Sequence, residues 1–98
     1  MKAFISQPMR GRTDEEILAE RDDIECRLRE EFGEVEILET FYDDFDPDAK
    51  PLEYLARSIS DLAKADVAYF AKGWQNARGC KIENMCAIEY GIHTIEVY

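Results

Sequence analysis

No apolar run in this chain approaches the roughly 18 residues that a membrane-spanning helix needs, which excludes such a helix. Positive charge is also scarce: 12 Lys and Arg face 22 Asp and Glu, a net charge of −10. Binding a nucleic-acid backbone rewards Lys and Arg, so no nucleic-acid partner is expected. A small nucleoside remains compatible, because a local pocket can differ from the whole surface. Cys80, Cys86 and the single His93 lack the close paired spacing of a zinc site, so no metal is expected. The apolar stretch from Met1 to Gln7 is too short for a signal peptide, and Arg10 and Arg12 follow at once. An odd number of cysteines without an export signal predicts reduced thiols and a cytoplasmic protein. There is neither an internal repeat nor a linker, and 98 residues predict one domain.

What is present is a strongly patterned chain with 46% hydrophobic and 11% aromatic residues, enough for a folded core. Lys2 to Ser6 reads as a short apolar strand, and Gln7 to Arg12 as a loop broken by Pro8 and Gly11. Thr13-Asp14-Glu15-Glu16 has the spacing of a capping box. Ile17, Ile24, Leu28 and Phe32 then recur at helical spacing until Gly33 stops the helix. Val35 to Leu38, flanked by glutamates, predicts an edge strand. After an acidic, aromatic loop from Phe41 to Asp48, Leu52, Leu55, Ile59 and Leu62 mark a helix starting near Pro51. Val67 to Phe70 is a third strand. Ile82, Met85 and Cys86 predict the buried face of a third helix, and Thr94 to Val97 a last strand. The order β-α-β-α-β-α-β predicts a minimal doubly wound, flavodoxin- or Rossmann-like α/β fold, with a four-stranded parallel sheet and helices on both faces.

In such a sheet the loops that follow the strands gather at one edge, where ligands bind. The first loop brings Arg10 and Gly11, which either hold a phosphate or carboxylate or form an ordinary solvated turn. The second brings Phe41, Tyr42 and Phe45, rings that cover a nucleobase, meet another subunit or simply pack. The third brings Trp74, Asn76 and Arg78, then Gly79 and Glu83. With Asn76 as helix cap, Glu83 lies about two turns into the helix, whose amino end favours an ionised carboxylate. Such a group can attack an anomeric carbon and form a glycosyl ester, or be a plain acidic residue near a helix start.

Three segments, taken together, give the chain a family likeness. Phe4-Ile5-Ser6-Gln7-Pro8-Met9-Arg10-Gly11, Ala65-Asp66-Val67-Ala68-Tyr69-Phe70 and Ala77-Arg78-Gly79-Cys80-Lys81-Ile82-Glu83 span nearly the whole length. In this order they resemble the nucleoside 2-deoxyribosyltransferase family, especially its short phage and bacterial branch. The resemblance implies a flavodoxin-like homodimer or higher oligomer that acts on a nucleoside or nucleotide without a cofactor. It implies Glu83 as the nucleophile at C1′ of a deoxyribosyl group, with a second base or water as acceptor. It implies substrate contacts from Phe4, Gln7, Arg10, Gly11, Phe41, Ser58, Trp74, Ala77 and Gly79, with Arg10 and Gly11 near the 5′ end and Trp74 or Phe41 over the base. Three positions depart from the family's pattern. Phe4 stands where members often place a tyrosine that orients the nucleophile. Ser58 stands where they carry an acid for leaving-base protonation, and Ala77 where they have Ser or Asp. Asp61 is the nearest helix acid, ~4.5 Å further along the axis and away from the ligand edge. Asp43, Asp44 or Asp46 of the second loop are the alternative acids.

Those departures keep a second reading open, a non-catalytic nucleotide-binding or sensing module on the same fold. A third is a structural oligomerising domain with Trp74 and Phe41 in subunit contacts.

Overall fold

A computed structural model describes residues 1–41 and 47–98. Four strands run parallel: β1 (Lys2–Ser6), β2 (Glu36–Ile37), β3 (Val67–Phe70) and β4 (His93–Glu96), in the order β2-β1-β3-β4. Helices α1 (Asp14–Phe32), α2 (Pro51–Leu62) and α3 (Arg78–Glu89) form the crossovers. The molecule is thus an α/β protein with a minimal Rossmann-like sheet. β1 and β3 lie at its centre, paired from Ala3 with Val67 to Ser6 with Phe70. They are covered on both faces, which is why they read as unbroken apolar runs.

Alternation along the strands sorts the core into two layers. Ala3, Ile5, Val67 and Tyr69 pack with Ile24 and Leu28 of α1. Phe4, Ala68 and Phe70 pack on the opposite face with Leu62 of α2 and Cys80 and Ala87 of α3. The α1 start follows its sequence signal: the Thr13 hydroxyl accepts from the Glu16 amide at 3.2 Å, and the Glu16 carboxylate accepts from the Thr13 amide at 3.1 Å. Gly33, at φ 77°, ends that helix in a backbone conformation that side chains disfavour.

Several expectations are corrected. β2 is shorter than Val35 to Leu38, and β4 is displaced by one residue from Thr94 to Val97. Asn76 does not cap α3. It closes a 3₁₀ turn (Trp74–Asn76), and Ala77 takes the cap position without a side-chain bond. The buried face of α3 is Cys80, Glu83, Asn84 and Ala87, whereas Ile82 and Met85 are exposed and Cys86 only half-buried. Polar partners explain that rotation: Asn84 Nδ2 donates to Glu96 Oε2 at 2.8 Å, and Glu83 meets a serine of β1.

The chain leaves β1 towards β2 on one side and continues through β3 to β4 on the other. The crossovers therefore diverge between the carboxyl ends of β1 and β3, where doubly wound sheets open a crevice.

Candidate active site

A cleft of about 840 Å³ occupies that position. Ser6, the last residue of β1, has the same parity as Phe4, so its hydroxyl points to the α2/α3 side. Its edge position is held by the Ala71 amide, which donates to the Ser6 carbonyl at 2.9 Å. From the other wall comes Glu83, the sixth residue of α3 and only 8% exposed. Ser6 Oγ donates to Glu83 Oε1 at 2.6 Å, a short, charge-assisted contact when the carboxylate is ionised. Ser58 of α2 lines the same cleft, and its hydroxyl favours the ionised form of this carboxyl. β1 and α2 thus both present a hydroxyl towards one carboxyl group of α3 at the cleft.

Burial raises the Glu83 pKa above its ordinary 4.5, while the bonds from Ser6 and Ser58 pull it back. This corrects the expectation that the amino end of the helix would make ionisation easy: removal from water is the larger effect. One turn earlier on α3, burial pushes the Cys80 thiol up to about 11, against a lowering hydrogen bond with Ser6 and with a further rise from the Glu83 charge. Cys80 is therefore a thiol at neutral pH, not a competing nucleophile.

The first loop owes its shape to Glu20 of α1. The Glu20 carboxylate accepts from Gln7 Nε2 at 2.9 Å and from Arg12 Nη1 at 3.0 Å, and Arg12 also donates to the Pro8 carbonyl at 2.9 Å. Gln7 Nε2 donates to the Ile17 carbonyl as well, at 3.0 Å. Arg21, buried on α1, anchors the chain after β2. It donates to the Leu38 carbonyl at 2.8 Å and to Thr40 Oγ1 at 2.9 Å, and Thr40 Oγ1 donates to the Ile5 carbonyl at 2.9 Å. These bonds set Phe41 at the cleft wall. Arg10, Arg12 and Arg78 also line the cleft, against only Asp14 and Glu83 among the described acids. In a chain of net charge −10, that concentration of cations is local.

Of the predicted site residues, Gln7, Arg10, Phe41, Ser58, Ala77, Gly79 and Glu83 converge on this cleft. Phe4 also lines the cleft, at its floor, with its side chain fully buried in the core. Gly11 falls outside the lining, at the exposed tip of the first loop. Trp74 is corrected: it is 9% exposed and packs between Phe70 and Tyr98, with ring centroids at 5.8 and 5.9 Å, away from the cleft. The proposed contributions of Tyr42, Asp43, Asp44, Phe45 and Asp46 lie outside the described residues. Sequence reasoning missed Ser6 as the partner of Glu83, although strand alternation placed it on the same face as Phe4. It also missed Tyr54, a cleft residue one helical turn before Ser58 on α2.

Among the described residues no cluster of three His, Cys, Asp or Glu side chains is placed to hold a metal ion, and no helix is long and apolar enough to cross a membrane. No family model, curated protein or solved structure matches this chain.

Proposed function

We propose that the protein cleaves the N-glycosidic bond of a 2′-deoxynucleoside or its 5′-phosphate, as a deoxyribosyltransferase-like transferase or hydrolase, with Glu83 as nucleophile. The observation that carries this reading is the Glu83 carboxyl held at an open cleft by Ser6 at 2.6 Å. One Glu83 oxygen bonds to C1′ as the C1′–N bond breaks, and the base leaves with the bonding pair and takes up a proton. Water or a second base then attacks C1′ and frees the carboxylate. A nucleophile needs its attacking lone pair aimed at carbon, and the Ser6 hydroxyl restricts the carboxyl rotamer. Ser6 offers the orienting hydroxyl that Phe4 lacks. The arginines suit an anionic 5′ group, with Arg10 nearest the role expected for it. The same reading carries a cytoplasmic homo-oligomer with no nucleic-acid partner and no cofactor.

Incubation with a panel of 2′-deoxynucleosides and their monophosphates, with free base measured by chromatography, tests the reading. Wild type releases base, and Glu83→Gln, near-isosteric but unable to form the ester, releases none. Equal release by the variant removes Glu83 from the mechanism.

One observation favours the binding-module alternative: burial favours a protonated Glu83, and a protonated carboxyl donates a hydrogen bond to a ligand instead of attacking it. Ligand-induced thermal stabilisation without base release would support that reading.

A further inference from the structure

Cleavage of a C1′–N bond leaves the bonding pair on the departing base. A proton donor must therefore stand across that bond from the nucleophile, about 5 Å away in retaining sites. Glu83, as nucleophile, cannot be that donor. Among the described residues of the cleft the other carboxyl is that of Asp14. It opens α1, which packs on the Ile5 face of the sheet, whereas Glu83 meets Ser6 on the Phe4 face. Cys80 shares the Phe4 face, but it is 4% exposed and burial pushes its thiol up to about 11. Ser6 gives its own proton to the Glu83 hydrogen bond.

Tyr54 carries a phenol, a proton donor at neutral pH, on the Glu83 side of the sheet. It lines the cleft and is half-buried, so its ring is partly packed and partly open. It lies four residues before Ser58, on the same face of α2. Helices of a parallel α/β sheet run back from the ligand edge, so that step is about 6 Å towards the opening. Ser58 is the α2 residue whose hydroxyl favours the ionised Glu83. Tyr54 thus stands one turn further out than the nucleophile, the offset that a sugar between nucleophile and acid requires. We propose that Tyr54 is the general acid of base release, an inference that rests on the reading of Glu83 as nucleophile. As a Glu83 oxygen bonds to C1′ and the C1′–N bond breaks, the Tyr54 hydroxyl gives its proton to the base nitrogen. Water then attacks C1′: its hydroxide ends on the sugar, its proton restores the phenol, and the Glu83 carboxylate is freed.

Base release from the four common 2′-deoxynucleoside 5′-monophosphates, and from 7-methyl-2′-deoxyguanosine 5′-monophosphate, tests the assignment. The cationic purine of the 7-methyl compound leaves as a neutral base and needs no proton. Tyr54→Phe keeps the ring, and circular dichroism verifies its fold. On the best common substrate its kcat should fall about 10²–10⁴-fold, with KM within about threefold of wild type. Release from the 7-methyl compound should stay within about threefold. An unchanged kcat overturns the proposal. A loss carried by KM, or an equal loss on the 7-methyl compound, also overturns it, because a side chain that merely packs or holds substrate gives that result. So does a wild type that cleaves only the 7-methyl compound, since no acid then operates. In each of these cases Glu83→Gln still abolishes release and the nucleophile stands. A wild type that releases base from none of the five removes the nucleophile, and Tyr54 with it.

Discussion

Glu83→Gln is expected to make the protein more stable near neutral pH while removing its chemistry. The folded state holds the Glu83 proton more tightly than the unfolded chain, because burial raises the pKa above 4.5. Between 4.5 and the raised value the folded state therefore binds more protons, so the stability contributed by this group falls as pH rises through that window. The slope for one group reaches about 1.4 kcal/mol per pH unit, and the loss is complete above the folded pKa. A glutamine carries no charge to desolvate, and its oxygen still accepts from Ser6 Oγ at the position of the 2.6 Å bond. Each kcal/mol recovered should raise Tm by about 4–8 °C in a domain of this size. Thermal unfolding of both proteins from about pH 4 to pH 8 measures the difference. The gap should be widest at the alkaline end and close towards the acid end, where both side chains are neutral. Parallel curves across the range would refute the claim that desolvation dominates at Glu83.

Ser6→Ala and Ser58→Ala each remove an interaction that lowers the Glu83 pKa, so the rising limb of base release should move to higher pH, visible in a pH–rate profile. Arg21→Met keeps most of the stem but leaves Thr40 and the Leu38 carbonyl without their donor, and urea denaturation should show a loss of about 2–4 kcal/mol. Trp74→Phe should leave the Michaelis constant for any cleaved substrate unchanged, since the indole packs in the core and not at the cleft. Its stability should change by about 1 kcal/mol or less in urea, because the lost ring area is offset by removing the buried Trp74 Nε1 donor, which has no partner among the described residues.

The sheet was legible because its signals are local and agree with one another. The β1 and β3 runs are apolar on both faces, the Thr13 box caps α1, and the elements alternate throughout. The convergence of Gln7, Arg10, Phe41, Gly79 and Glu83 followed from topology, because loops after parallel strands and the helix starts that follow share one edge. What was not legible depended on distant partners. Ser6 and Glu83 are 77 residues apart, and only the pairing of β1 with β3 and the docking of α3 bring them together. Nothing in the sequence singles out Arg21 in acidic α1, because its burial depends on the chain after β2 returning to cover it. Trp74 looked like a base-covering ring because it follows β3, yet the 3₁₀ turn directs it back onto Phe70.

The misread face of α3 is the instructive failure. Hydrophobic periodicity assigns the most apolar stripe to the core, which would have buried Ile82 and Met85 and pointed Glu83 away from the sheet. The helix is rotated instead, so that Cys80, Glu83, Asn84 and Ala87 face inward, and two of these four are polar. Burying Glu83 and Asn84 is tolerable only because Ser6, Ser58 and Glu96 satisfy them. Exposing Met85 and Ile88 gives up burial that an ordinary amphipathic helix would keep. A helix oriented against its own hydrophobic pattern on both sides departs from local consistency, and such departures are expected where a site or a contact overrides stability. One rotation of α3 accounts for both features, the carboxyl at the cleft and the exposed Ile82, Met85 and Ile88 on the outside. A polar substitution at exposed Met85 should therefore leave base release unchanged while Glu83→Gln abolishes it, since the two side chains lie on opposite faces of one helix.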